Sequence, residues 1–551
     1  MKSLLIYGGI IYLTIFPLYS QTQDIEILKH KQNIQIEELR ILNSTFRETN
    51  LSISPDGKYL FFMTDRGGMP WSNTGYGYYK GKPRYDGDIW YSEKKNGQWQ
   101  APKALGRNVN TSSGEDEPNV SPDGQFVIYQ SWAGDWGSRG GPYFEAKLSN
   151  NEWSKPLPLG SGINQFFVRQ GNRFGGGLAT DGVAVSPDRN TFIVAFGPDY
   201  DGNMDLFMSI QKDGEWSYLK KLDISTSKDE RSAFLAGDGK TLFFASNGYK
   251  GLGGLDIYQT TLNPDGSHSP IVNLGAPFNT PKDDYGFIIT ASGEEAYFVR
   301  DGDIFYANLK DNQLSFKPTP TMIISGQLNH RVRVVQDVIL HLKEFESDKI
   351  ISKSKVSYSG TYSFAIPERE GRLRIQSTSE SAFQIDTAFY IKPSGNYQEI
   401  ELPPLTYTII KPGEEKGKGE VSRGEELKLT PSLTYIKEAK PVDVDIHFDF
   451  DQIILAPVFR WQLDKLYESI KNKEGYIIKI VGHTDDKGGN SYNHNLGLRR
   501  AKVVSQYLQV LGIPKDKIRI ETQGELNPIA DNDSEEGAYQ NRRVRVEILY
   551  K

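Results

Sequence analysis

A phrase of eleven residues returns five times in the first three hundred, and it narrows what this chain can fold into. It reads SISPDGKYLFF at 52–62, NVSPDGQFVIY at 119–129, AVSPDRNTFIV at 184–194, FLAGDGKTLFF at 234–244 and IITASGEEAYF at 288–298. Each copy joins a tight turn to a strand of alternating apolar residues. Proline presets φ at such a turn, Asp bonds the backbone just beyond it, and Gly allows φ > 0. A second phrase follows each turn at a distance: GDIWY (87–91), PYFEA (142–146), MDLFM (204–208), LDIYQ (255–259) and GDIFY (302–306). A third is a further turn, three times with Trp: NGQW (96–99), NNEW (150–153), DGEW (213–216) and NPDG (263–266). The copies lie 50 to 67 residues apart. Several short strands recurring in fixed order at that period predict a β-propeller or a similar array.

The SPDG…DIY…W units resemble the WD40-like PD40 repeats of propellers such as the periplasmic translocation protein of the Tol system. The resemblance spans about 45–320, with TASGEE (290–295) its weakest copy. Strand material before residue 50 has room to complete a blade, so five or six blades are expected within 21–320.

Propellers host hydrolases, but the only His between 45 and 320 is His268, in a turn between Ser267 and Ser269. A Ser–His–Asp arrangement needs a positioned His. Glu115, Asp116 and Glu117 keep open a carboxylate pair for glycan hydrolysis; the edge of a blade loop accounts for them more simply. PDYDGNMD (198–205) sets Asp199, Asp201, Asn203 and Asp205 at alternate positions, as calcium loops do. It lacks the Gly and the closing Glu of such loops, and Asp205 already belongs to the second phrase. The Gly- and aromatic-rich insertions at 67–87 and 131–143 suit protein or sugar contact, or packing over the propeller mouth.

One core serves at most about 250–300 residues, so a chain of 551 is expected to hold two or three domains. A net charge of −6 argues against a general nucleic-acid binder, which needs a basic face. Residues 1–20 read as a secretory signal: MKS, an apolar core, then Ser20 before Gln21. An uncleaved anchor is the alternative, against which Pro17 and the short core weigh. No other apolar run approaches the ~20 residues of a spanning helix. There is no Cys, so disulfides, thiolate ligands and lipid attachment at Cys are excluded.

After KPTPT (317–321) the pattern changes. IISGQL (323–328), DVILHLKEF (337–345) and GTYSFAIP (360–367) alternate apolar and polar residues, predicting a small β-sandwich over 322–405. The GTYSF phrase resembles carboxypeptidase-regulatory-type sandwiches, which serve as spacers or adhesion elements. Residues 406–440, with KPGEEKGKGEVSRGEE at 411–426, read as a flexible linker.

From 441 onward the order is β-α-β-α-β-(loop)-β, an α/β sandwich. Strand DVDIHFDF precedes helix FRWQLDKLYESIK, whose Phe459, Leu463, Leu466 and Ile470 keep helical spacing. Strand YIIKIVGH leads into GHTDDKGGNSYNHNLGLRRA (482–501), and a second helix ends at Gly512 and Pro514. On that helix Asn493, Leu496 and Arg500 share one face, turned toward the loop of Asp485. His483, Asp485 and His494 lack a third firm ligand for a metal. Arg499 is expected to face solvent.

The motifs FDFD, GHTD, YN…L…RRA…V…YL…GI, GE.NP and NRRVRVEI, in that order, resemble the OmpA-like peptidoglycan-binding domain. The resemblance implies that Asp485 and Arg500 grip the diaminopimelate of peptidoglycan stem peptides. Its free end shows an ammonium beside a carboxylate; Asp485 suits the first and Arg500 can fork onto the second. It further implies that Thr484 and Asn493 position the site or bond the ligand, that Arg543 supports the pocket and that Asp449 lies near it. Gly497 and Leu498 depart from the family's LSxxRA, and Asp486 adds a second carboxylate. A purely structural ion pair between Asp485 and Arg500 is the alternative.

The expected protein is multidomain: an all-β propeller, a small β-sandwich and an α/β OmpA-like domain over 441–551. It is read as a non-catalytic periplasmic protein of a Gram-negative envelope, held to the cell wall and associated with the outer membrane through partners. The propeller is expected to engage an envelope protein, with a secretion complex as one setting. No cofactor is expected. The rival is a wall-targeted enzyme with a carboxylate site in the propeller, which requires convergent buried carboxylates in its channel.

Overall fold

The computed structural model describes residues 25–550 apart from 32–33, 68–74, 80–81, 133–140, 150–151, 175–178, 199–201, 213–214, 311, 329–337, 358, 379–382, 395–396, 406–407, 410–443, 456 and 472. The expected signal at 1–20 and nearly all of the expected linker lie outside the described residues.

Each eleven-residue phrase forms the antiparallel first hairpin of a sheet of four or five strands. The first strands are β1 (Glu48–Ile53), β2 (Glu115–Val120), β3 (Ala179–Val185), β4 (Glu230–Leu235) and β5 (Asp284–Ile289). The second phrase supplies the third strand of each sheet, for example Asp88–Lys95 and Asp256–Thr261. β1 lies beside β2, β2 beside β3, and so on until β5 returns to β1. Residues of all five first strands, among them Asn50, Glu117, Gly182, Ser232 and Gly286, line one cavity at the centre. Material before residue 50 completes the last two sheets: Glu26–Ile27 pairs with Val272–Asn273, and Ile36–Glu38 with Asp303–Asn308.

The turns work as their residues dictate. Asp56, Asp123, Asp188 and Asp238 each accept from the backbone N–H two residues on, at 3.1 Å. In the fifth copy Ser292 takes that place, bonding the N–H of Glu294 at 3.2 Å. A left-handed residue closes each turn. It is Gly57, Gly124, Gly239 or Gly293, but Arg189 at φ 59° in the third copy.

A second recurring device went unread in the sequence. Glu48, Glu115, Glu230 and Asp284 open their strands fully buried. Each accepts from the hydroxyl and backbone N–H of the Ser or Thr four residues earlier: Ser44, Thr111, Thr226 and Thr280. Across the strand each meets Thr64, Ser131, Ser246 or Arg300. Burying a carboxylate is costly unless it is bonded, and burial still pushes Glu230 up to about 7. In the third sheet Ala179 faces Gly197 at this position, so acid and partner are lost together.

The expectation of an all-β first part needs correction. Helix α1 (Ser161–Phe174) runs between the second and third sheets. Ile163, Phe166 and Phe167 lie on one face and are buried with Phe192, Phe196 and Trp216.

Residues 321–405 form two further sheets. One orders Thr361–Pro367, Thr321–Gln327 and Gln398–Glu401; the other orders Ile350–Lys355, Ile339–Glu344, Gly371–Ser377 and Asp386–Ile391. They share one apolar core that includes Ile324, Leu340, Phe364 and Ile375. This pair docks on the turn ends of the five sheets. Lys355 Nζ donates to Glu145 at 2.7 Å, Lys58 Nζ to Glu399 at 3.0 Å, and the Thr319 N–H to Asp238 at 3.0 Å.

The C-terminal unit is a four-stranded sheet ordered β6 (Val444–His447), β9 (Arg543–Tyr550), β7 (Tyr476–His483) and β8 (Ile518–Gly524). Central β9 is antiparallel to both neighbours, while β7 and β8 are parallel. Helices α2 (Pro457–Ile470) and α3 (Asn490–Leu511) cover it. Phe459, Leu463, Leu466 and Ile470 are all buried, as their spacing predicts, with Val504 and Leu508 of α3. Gly512 ends α3 in the left-handed conformation, φ 114°. The acidic segment expected to be irregular instead holds helix α4 (Glu535–Asn541), which Ser534 caps by accepting from Gly537 N–H.

Candidate functional site

Strand β7 and helix α3 approach backbone to backbone, and this carries the Thr484–Gly489 loop. A Cβ on Gly482 would lie 2.0 Å from the Gly497 carbonyl oxygen. A Cβ on Gly497 would lie 2.5 Å from Thr522 Oγ1, whose hydroxyl donates to the carbonyls of Gly482 and His494 at 3.2 Å. The departure at Gly497 thus has a local cause: Thr522 occupies the space a larger residue would need.

Among the residues expected at the site, Asp485, Arg500, Thr484, Asn493, Leu496 and Arg543 are all buried, and Asp449 is half-buried. Arg500 has no exposed surface. Its Nε donates to the Gln452 carbonyl at 2.9 Å, Nη2 to the Asp449 carbonyl at 2.9 Å and Nη1 to the His483 carbonyl at 3.3 Å. Its guanidinium also lies 5.3 Å from the Phe448 ring centre. Burial lowers its pKa to about 10, and the Asp485 carboxylate is the chief charge opposing that shift. Arg500 therefore stays a cation at neutral pH.

Asp485 bonds a different arginine. Arg542 Nη1 donates to Asp485 Oδ2 at 2.8 Å, with both side chains buried. Arg542 was not singled out in the sequence, where Arg543 was expected to support the pocket. The strand begins at Arg543, so Arg542 sits at the end of α4 and turns inward. Arg543 instead reaches the Asn527 carbonyl at 3.4 Å and, together with burial, holds His483 down to about 4. Asp485 thus stands between two buried guanidiniums, ion-paired with Arg542 and acting at longer range on Arg500, which also feels the Asp451 and Asp449 carboxylates.

Polar atoms at the site also await partners. Among the described residues, Thr484 Oγ1, Asn493 Oδ1, His483 Nδ1, and Nε and Nη1 of Arg543 are buried without a hydrogen bond. Buried polar groups in proteins are nearly always bonded; five such atoms fall on four residues of this region. Asn493 spends its amide on Glu525. Arg499 and His494 face solvent, and among the described residues no group of acids and histidines can hold a metal.

Residues 447–542 match the model of the OmpA family. The same part is 41% identical over 107 residues to "Outer membrane protein A" of Bordetella avium, taking in 19% of this chain and 55% of that protein. It is 34% identical over 107 residues to "Outer membrane porin F" of Pseudomonas fluorescens, covering 19% and 33%. The C-terminal domain is OmpA-like. About half or less of these relatives' own length is spanned by the match. Among solved structures, the OmpA-like domain is similar to the peptidoglycan-associated lipoprotein from Burkholderia pseudomallei. Identity is 28%, coverage 19% of this chain and 89% of that one, and TM-score 0.19. It is also similar to the cell wall anchor of the T6SS from Pseudomonas aeruginosa, at 24% identity, 20% and 82% coverage and TM-score 0.18.

The rival site in the first part takes shape as well. Asp116, Glu117 and Asp181 lie buried close enough to act on one another, and Glu117 lines the central cavity. Asn50 donates to Asp116 at 2.7 Å, Tyr143 to Glu117 at 2.7 Å and Arg231 to Asp181 at 3.5 Å. Burial raises Asp116 to about 6, and burial with the Asp116 charge raises Glu117. The cavity is about 10 Å³. That is room for about one water, far short of a sugar ring. Glu115 belongs to the strand-opening acids. His268 bonds the Ser269 carbonyl at 2.8 Å in its turn. Of the calcium-like spacing, Asp199 and Asp201 lie outside the described residues and Asp205 bonds Lys221 at 2.6 Å.

Proposed function

We propose that this chain is a non-catalytic envelope protein that anchors to peptidoglycan through its OmpA-like domain. The ligand is the diaminopimelate end of a stem peptide, its carboxylate on Arg500 and its ammonium on Asp485. One observation carries this reading: inside a domain matching the OmpA family, buried Asp485 sits between the guanidiniums of Arg542 and Arg500, beside polar atoms of Thr484, Asn493 and Arg543 that have no hydrogen bond. A zwitterion brings a carboxylate for Arg500 and an ammonium for Asp485. Thr484, Asn493, Leu496, Asp449 and Arg543 frame the site, and Arg542 orients Asp485.

The five sheets are read as a five-bladed propeller spanning 21–320. Support comes from the return of β5 to β1 and the cavity lined by every first strand. The two sheets of 322–405 are read as a sandwich seated on the turn ends of the blades, leaving the insertion-bearing side for an envelope protein partner. Among the described residues no helix is long and apolar enough to cross a membrane. Location in the periplasm, with outer-membrane contact through partners, belongs to the same proposal. The buried acids Asp116, Glu117 and Asp181 are read as a structural network, given the one-water cavity.

The test is calorimetric titration of the full chain with soluble stem tripeptides that end in diaminopimelate or in lysine. The lysine form lacks one carboxylate. The diaminopimelate form is expected to bind at least about tenfold tighter, the worth of one charge-assisted bidentate contact. Equal binding of both would contradict the assignment of Arg500.

A further inference from the structure

The OmpA-like domain touches the five-sheet body at the edge of its own candidate site. Arg169, on α1, places Nε 3.3 Å from Oδ1 of Asp449. The same guanidinium lies 4.8 Å from the ring centre of Tyr539 on α4. Tyr218 of the third sheet's outer edge packs on Tyr539 with ring centres 5.2 Å apart. Tyr539 is buried and stacks on its other side against His447 at 5.0 Å. Helix α1 also lies against α2.

The contact falls on a turn that already holds Arg500. Asp449 uses its carbonyl for Arg500 and its carboxylate for Arg169. Gln452 offers a second carbonyl to Arg500, and Asp451 between them is left-handed, φ 55°, with Tyr492 donating to its carboxylate. The Asp449–Gln452 turn therefore lies over the guanidinium and is pinned from two sides. One pin is Tyr492 of the domain's own helix α3. The other comes from the five-sheet body. Two N–H groups of Arg500 remain for a ligand carboxylate, but Arg500 has no exposed surface, so its cover has to move, and this turn is part of that cover.

We propose that the Arg169–Tyr218 surface is an intramolecular docking site that latches the turn over Arg500, so that docking and wall binding compete. The inference rests on the wall-binding reading above. Binding free energies are reciprocal: a latch that weakens ligand binding is itself released by the ligand. Engagement of the wall then frees the OmpA-like domain from the five-sheet body and uncovers α1.

The experiment compares the full chain with its Arg169→Ala variant, titrated with the diaminopimelate tripeptide. Hydrogen exchange of the 535–542 amides is followed in parallel. The variant is expected to bind roughly fivefold tighter, as one partly buried ion pair and one cation–π contact are removed from the closed state. Its 535–542 amides should exchange faster without ligand, and wild type should approach that rate once the tripeptide is bound. Tyr218→Leu, which keeps α1 intact, repeats the measurement should Arg169→Ala fold poorly. Unchanged or weaker binding by the variants overturns the latch while the wall-binding reading stands. No binding by wild type and variants alike overturns the wall-binding reading, and the latch with it.

Discussion

Single residues at this site act through charge and burial together. Arg500 is held as a cation by three carbonyls and the nearby Asp485 charge, yet its burial already lowers its pKa. Arg500→Lys therefore keeps the charge but loses the fork and two of the three carbonyl bonds. It should bind the diaminopimelate tripeptide almost as poorly as Arg500→Ala, a loss of about 2–3 kcal/mol read by titration. His483 offers a pH test. Burial, then the Arg543 cation, holds its imidazole at about 4, below its usual 6.5. On acidification the unfolded chain takes up this proton first, so its contribution destabilises the fold as pH falls from 6.5 toward 4 and is absent above. Denaturant midpoints of wild type and His483→Gln, compared from pH 7 to pH 4, should converge or cross on the acid side. The residue-level signals were partly legible. Asp485 stood in the GHTD motif, and Asn493, Leu496 and Arg500 stood at helical spacing. Arg542 did not stand out, because two adjacent arginines read alike until the start of β9 decides which one turns inward.

At the scale of elements, backbone approach and buried acids set the limits. Gly482→Ala would push its methyl into the Gly497 carbonyl, and β7 and α3 would have to part. We expect a loss of about 3 kcal/mol or more in the C-terminal domain, measured by denaturant unfolding. In the fourth sheet Thr226→Val removes one hydroxyl bond from buried Glu230 and should cost about 1–2 kcal/mol. Removing the acid and its cross-strand partner together, as Ala179 and Gly197 do in the third sheet, is the precedent for Ser246→Ala with Glu230→Ala costing less than the sum of the single changes. The SPDG turns were readable because each residue has one local job. The Ser or Thr four residues before each acid was not, since its partner is defined only by the turn that brings the hydroxyl back. Helix α1 was missed for a related reason. Ile163, Phe166 and Phe167 keep helical spacing, but they sit amid glycines between strand repeats, and burial against Phe192 and Phe196 fixes them.

For the whole molecule, separate apolar cores within the first part, the two-sheet unit and the OmpA-like domain imply separable stabilities. Calorimetric unfolding should show the OmpA-like domain melting as its own transition, and only that transition should rise with the tripeptide. The order of the parts was legible from repeats and motifs. Their mutual docking through Lys355, Glu145, Arg169 and Tyr539 was not, since contacts between units leave no periodic trace. The central claim is that the OmpA-like domain grips the wall through Asp485 and Arg500. Its most direct test is co-sedimentation of the full chain with purified diaminopimelate-type peptidoglycan, beside folded Asp485→Ala and Arg500→Ala variants. The account expects wild type in the pellet and both variants in the supernatant. Wild type staying soluble, or both variants pelleting with it, would contradict it.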